Sequence, residues 1–283
     1  MRTFSLILFF CVLLVTASAC SRGSFEEQVA AAEAHLGAGD SRAALGDYQA
    51  ISERFKGDPR RAVILLRIAD LYSGVLDDPT AAIKSYGEAI KDRPLSQAAQ
   101  AAHERRAAIR EQRGDYEGAI EDYSALIKYF GAGVDAFRYR VLLAGIYISA
   151  RNYRQARVEI KPLVEDKSIP ADVREEALFI AAESFFLEGN TQRAAEYYQW
   201  FLNDFPKSQL TAEVKLHLAT CLEDMGYLGM ARDLTRSAGG QYPNKKVVSA
   251  RIKSIDERGG GQGKGTGQSK AAPSKPAKPA KPR

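Results

Sequence analysis

Three histidines, three cysteines and several adjacent carboxylates are the side chains of this 283-residue chain with chemistry to serve a reaction or a metal. His35, His103 and His217 fall in different segments of the repeating pattern described next, so they do not converge on a metal or form a relay. No His-Glu-x-x-His, Gly-x-Ser-x-Gly or phosphate-loop pattern occurs, and Gly259-Gly260-Gly261 opens no helix that would cradle a phosphate. The pairs Glu26-Glu27, Asp77-Asp78, Glu175-Glu176 and Glu223-Asp224 sit at helix starts or turns, where negative charge favours the helix macrodipole or faces water. Cys11 and Cys20 belong to an apolar leader, and Cys221, between Leu218 and Leu222, reads as a small core residue that has no disulfide partner. These residues predict no catalytic centre, no metal and no cofactor. They point to binding.

The elements that would present a binding surface repeat. Small residues recur at Ala44, Ala82, Ala119, Ala156, Ala194 and Ala231, at intervals of 38, 37, 37, 38 and 37. Four residues after each come Tyr48, Tyr86, Tyr123, Ile160, Tyr198 and Thr235; five before come Gly39, Asp77, Gly114, Arg151, Gly189 and Gly226. Ala69, Ala107, Ala144, Ala182 and Ala219 mark a partner helix, and Pro59, Pro94, Pro206 and Pro243 mark ends. Alanine is required where two helices pack so closely that a γ-carbon has no room. The spacing from Ala182 through Phe185, Gly189, Ala194, Tyr198 and Phe201 to Pro206 resembles the tetratricopeptide repeat (TPR). That resemblance implies an all-α fold, a right-handed solenoid of about six helix-turn-helix repeats, over residues 25–257. The period exceeds the usual ~34 residues by about one turn of helix. Val247, Val248, Ile252 and Ile255 share one side of an expected capping helix.

The resemblance also implies a concave groove lined by first helices, at the fifth, ninth, twelfth and thirteenth positions of each unit. These are Val141, Gly145, Ile148 and Ser149 in the fourth unit, and Phe179, Glu183, Phe186 and Leu187 in the fifth. In the sixth they are Leu216, Thr220, Glu223 and Asp224. The expected groove is apolar and aromatic in the middle and acidic at one end, suited to a partner peptide or helix. The alternative packs Phe179 and Phe186 against the neighbouring repeat. Tyr197, Tyr198 and Trp200 read as inter-repeat core and convex surface.

Residues 1–19 read as a targeting segment: Met1-Arg2, an apolar run from Leu6 to Val15, then Ala17-Ser18-Ala19 before Cys20. The run is shorter than the ~20 apolar residues that span a bilayer. Small residues directly before a cysteine resemble the bacterial lipobox, which implies cleavage before Cys20 and acylation of its amine and sulfur; residues 20–24 would be the tether. Each buried methylene contributes about 0.8 kcal/mol, so such an anchor holds without a membrane-spanning helix. The competing reading is an ordinary signal peptide with an incidental cysteine. Ser21 in place of Asp implies, by the same resemblance, the outer membrane and a protein facing the periplasm.

Residues 258–283 change character: seven basic residues, no acidic one and nothing apolar larger than alanine, which predicts a disordered Gly/Lys/Pro-rich tail. The formal net charge of +5 is therefore a property of this tail, and the repeats themselves are slightly acidic. It does not argue for nucleic-acid binding by the repeats, and an exported protein rarely meets nucleic acid, so no nucleic-acid partner is expected. An anionic lipid or cell-wall polymer fits the tail, as does a merely solubilising role. The plan of a lipidated cysteine followed by repeats ending in Phe205-Pro206 and Tyr242-Pro243 resembles the TPR proteins of outer-membrane β-barrel assembly and of the Tol-Pal system. The expected function is a non-catalytic scaffold for envelope proteins. A barrel-assembly subunit and a cell-wall tether are its alternatives.

Overall fold

The computed structural model of the chain describes residues 23–240 and 242–261. The leader, Cys20 and the tail from residue 262 onward lie outside the described residues. Within them the chain is all helical: α1 Phe25–Gly37, α2 Ser41–Arg54, α3 Arg61–Gly74, α4 Pro79–Asp92, α5 Gln97–Gln112, α6 Tyr116–Phe130 and α7 Val134–Ser149. There follow α8 Tyr153–Glu165, α9 Ala171–Leu187, α10 Thr191–Asp204, α11 Thr211–Asp224, α12 Leu228–Ala238 and α13 Lys245–Gly261. The helices pair in sequence as hairpins, which makes this a TPR solenoid fold.

The helices gather into two compact units that divide after Ile109. In the first, α1 to α4 pack in succession and α5 closes the core with Ala102 and Ile109. α1 opens with a reciprocal cap: Ser24 accepts from the Glu27 amide while the Glu27 carboxylate accepts from the Ser24 amide. Ala44, Ala69 and Ala82 are wholly buried there, as the close approach of their helices requires. Tyr48 and Tyr86 fill the wedges between helices, and the Tyr86 hydroxyl donates to Asp70 Oδ1 on α3 at 2.8 Å. The second unit repeats this arrangement. Ala119, Ala144, Ala156, Ala182, Ala194, Ala219 and Ala231 are wholly buried, and Tyr198 and Phe201 are its largest enclosed aromatics. Each unit thus covers its helices' apolar faces with the next hairpin, as a repeat that cannot bury its own core must.

The hairpin turns share one construction. The residue after the turn donates its amide to the carbonyl five residues back: Asp40 to His35, Asp115 to Arg110, Asn152 to Tyr147, Asn190 to Phe185 and Tyr227 to Leu222. This is the Schellman closure of a helix. At Asp78 the bond reaches six back, to Tyr72, which accommodates the extra residue of that repeat. The same residues, except Tyr227, then cap the following helix; Asp40, Asp78, Asp115, Asn152 and Asn190 each accept from the amide three residues on. The residue just before the cap has positive φ every time: Gly39, Asp77, Gly114, Arg151, Gly189 and Gly226. Asp77 and Arg151, at φ 49° and 58°, are exposed L-residues in a left-handed conformation that costs roughly 1–2 kcal/mol relative to glycine. Part of that is offset by the entropy glycine loses on folding. Asp77→Gly and Arg151→Gly are each expected to raise stability by about 0.5–1 kcal/mol, read as a higher thermal midpoint; an unchanged or lower midpoint would contradict the strain.

The last helix departs from expectation in two ways. α13 continues to Gly261, beyond the expected boundary at 257, so Arg258 is helical and not part of a tail. Val248 and Ile255 are buried, whereas Val247 points to solvent. One residue turns the helix by about 100°, so the adjacent Val247 and Val248 cannot share a face.

Candidate binding groove

First helices in the second unit carry one stripe of exposed and half-buried residues. It recurs every three or four residues: Arg138, Leu142, Gly145 and Ser149 on α7, Glu176, Ile180, Glu183 and Leu187 on α9, and Glu213, His217, Thr220 and Asp224 on α11. Helix geometry puts each set within about 40° of one line along its helix. Leu142 and Leu187 are 45% and 48% exposed, which is unusual for leucines flanked by a packed core.

This placement corrects part of the expected groove. Leu187, Glu183 and Thr220 lie on the stripe. Val141 is 2% exposed and Leu216 is buried, so neither lines it; both sit about 60° round the helix, in the seam to the next hairpin. Ile148, Phe179 and Phe186 are half-buried on that same flank. Phe179 meets Phe201 edge-on at 6.2 Å between centroids, and Phe186 stacks on His217 at 5.4 Å with rings 5° from parallel. Phe186 thus packs against the neighbouring repeat, as the alternative reading has it, whereas the Phe179 contact lies within its own hairpin. Glu223 is claimed by α13: Arg251 donates to its Oε1 at 2.7 and 2.9 Å and Arg258 pairs with its other oxygen. Arg251 also donates to Thr220 Oγ1 at 2.6 Å. The acidic end of the groove is thus partly covered by the chain's own last helix.

The middle of the groove holds one polar cluster. His217 Nδ1 lies 2.6 Å from Glu183 Oε1, and the Tyr198 hydroxyl donates to the same oxygen from the core side. The hydrogen bond to Glu183 raises the His217 pKa, against an opposing contribution from burial. Burial, then Glu183, raises that of Tyr198, so it stays a phenol. A histidine whose folded pKa is raised contributes stability that is complete below its unfolded value, near 6.5, and is lost as pH rises through the folded value. The stability difference between the native chain and His217→Gln is therefore expected to be greatest near pH 6 and to shrink toward pH 9. A difference independent of pH, measured by urea unfolding, would contradict this linkage.

Glu176, on the stripe beside Ile180, also has a raised pKa, first through burial and then through Asp172, with Arg138 opposing. Sequence reasoning missed Arg138, Leu142, Glu176, Ile180, Glu213 and His217. The signal was present as a 3.6-residue stripe, but the family offsets put half of the expected positions, Val141, Ile148, Phe179, Phe186, Leu216 and Glu223, on its more buried flank.

On the opposite side of α9 lies a cavity of about 1010 Å³ between α8 and α10, lined by Phe185, Tyr197, Trp200 and Arg174 among others. Arg157 lies over the Phe185 ring at 4.4 Å and pairs with Glu188 at 2.9 Å, and Trp200 Nε1 donates to Asp204 at 3.0 Å. Tyr198 is core, as expected; Tyr197 and Trp200 border this cavity.

Among the described residues no group of three His, Cys, Asp or Glu could hold a metal, and no helix is long and apolar enough to cross a membrane. Cys221 is buried, which pushes its thiol up to about 12 and leaves it unreactive near neutrality.

Comparison with known proteins agrees with this geometry. Residues 75–133 and 176–208 match sequence profiles described as tetratricopeptide repeat. The C-terminal part of a TPR repeat-containing protein from Cytophaga hutchinsonii superposes with a TM-score of 0.63 at 13% identity, covering 84% of this chain and 91% of that one. A tetratricopeptide repeat protein from Parabacteroides merdae gives 0.51 at 15%, over 82% and 98%. YrrB, described as a TPR protein with an unusual peptide-binding site, gives 0.51 at 15%, over 73% and 97%. At such identities the likeness is one of fold. No curated protein sequence matches the chain significantly.

Proposed function

We infer that this tetratricopeptide-repeat protein is a non-catalytic scaffold, whose first-helix stripe on α7, α9 and α11 receives a segment of a partner protein. The observation that carries this reading is the pair of half-exposed leucines, Leu142 and Leu187, set among carboxylates on a face no other described helix fully covers. Structural likeness to a TPR protein described as peptide-binding supports it. The leader and Cys20 support an address on the periplasmic side of the outer membrane, held by acyl chains, with other envelope proteins as partners.

Leu142→Asp combined with Leu187→Asp adds charge to the stripe and leaves the buried alanines and aromatics untouched. Partner capture after crosslinking in envelopes is expected to fall at least about tenfold, the equivalent of 1.4 kcal/mol, with helical content unchanged. Undiminished capture would overturn the groove. Mass spectrometry of the Cys20 peptide tests the address independently: acylation supports it and a free thiol sinks it.

A further inference from the structure

We propose that residues 262–283 of the same chain fold back into the groove, so that the stripe on α11 and α9 is occupied by the protein's own basic segment until a partner displaces it. The inference rests on the groove reading and adds its resident occupant. Three observations carry it. The first is where the segment starts. Arg258 pairs with Glu223, three residues before α13 ends at Gly261, and Gly259 lies against Leu228 just beyond the C-terminal end of α11. The last described turn of α13 therefore lies by the C-terminal end of α11, where Glu223 is followed by Asp224 of the stripe.

The second is charge. Lys264, Lys270, Lys275, Lys278, Lys281 and Arg283 face no acidic residue within their own segment. Along the stripe, Glu176, Glu213 and Asp224 form no ion pair with another described residue; the cations that do reach α11 are Arg251 and Arg258, supplied by the helix that leads into this segment. Burial, then Asp172, raises the Glu176 pKa and Arg138 opposes it, so a nearby cation would favour its charged form. Surface pairs contribute roughly 0.2–1 kcal/mol each, so several are needed together. The chain presents several.

The third is reach. Twenty-two residues drawn out in a proline-rich conformation span roughly 70 Å at about 3.1 Å per residue. Adjacent packed helices lie only about 8–10 Å apart, so the route from α11 past α9 is short by comparison. Alanines and prolines between the lysines suit contact with Ile180 and Leu187, and a lysine every three residues at the end suits carboxylates spread along two helices. The opposite face offers a poorer match, since Arg157, Arg174, Arg193 and Lys161 line its cavity.

Zero-length carbodiimide coupling on the full chain tests the proposal, with peptide mapping of the linked sites. At low salt, lysines from 264 onward are expected to couple to Glu176, Glu213 and Asp224. Coupling should fall about tenfold near 0.5 M salt, where the screening length is only a few ångströms. A chain carrying Glu176→Gln, Glu213→Gln and Asp224→Asn should lose it while keeping its helical signal. Equal coupling to Glu165 and Asp204 on the other face, coupling only between isotopically distinct copies, or none at all would each overturn the proposal. If groove coupling is found but Leu142→Asp with Leu187→Asp leaves partner capture intact, the tail stands and the scaffold reading falls. The reverse result removes the tail alone.

Discussion

Phe201→Ala is expected to destabilise the second unit by about 3–5 kcal/mol. Phe201 is wholly buried at the centre of that unit's core. Its ring meets Phe179 on α9 at 6.2 Å and Phe205 at 5.6 Å, so it joins the two helices of one hairpin to the chain that leaves them. Truncation removes the burial of a large ring and leaves a void that the neighbouring backbone, fixed by Ala182 and Ala194, cannot close. Trp200, the single tryptophan, is adjacent in sequence and reports the change by fluorescence during urea unfolding. A loss under about 1 kcal/mol would mean that the seam between α9 and α10 is loosely packed.

Arg110→Met is expected to cost about 3 kcal/mol for a different reason. The Arg110 guanidinium donates to Asp122 Oδ2 and to the Gly118 carbonyl, both at 2.9 Å. Asp122 is 1% exposed, so removing the cation leaves a carboxylate in the interior without a main source of compensation. Methionine keeps the length and apolar stem of the side chain, which separates loss of charge from loss of packing. Adding Asp122→Leu to Arg110→Met should recover most of the loss, because a buried ion pair replaced whole by apolar groups is often neutral. If the double variant is no more stable than the single one, the effect came from packing and not from the orphaned charge.

The repeat architecture was legible because it is written in residue types that few other arrangements demand. Alanines recurring at 37 or 38 residues, with a tyrosine four later in four of the six units, specify close helix pairs and the wedges beside them, and each of those alanines is wholly buried. The turn position was legible too, but its glycines hid a second signal. Asp40, Asp78, Asp115, Asn152 and Asn190 follow it directly and cap every second helix but the last.

The groove was legible only in part. The family's offsets pick a helix face to within a residue or so, and one residue turns a helix by about 100°. Glu183, Thr220 and Leu187 fell on the open stripe while Val141 and Leu216 fell into the seam. The end of α13 was misplaced for a tertiary reason. Three glycines argue against helix at about 1 kcal/mol each, but Arg251 and Arg258 tie that helix to Glu223, a contact between residues 28 and 35 positions apart that no local pattern displays.

The most direct test of the groove as the docking surface is site-specific photocrosslinking. Leu142 on the stripe and Val158, 55% exposed on α8, are replaced one at a time by benzoylphenylalanine in the full-length protein in cells. Adducts to one partner sequence from position 142, with none from position 158, are the predicted result. Adducts from position 158 with none from position 142 would place the docking surface on the other face and contradict the account.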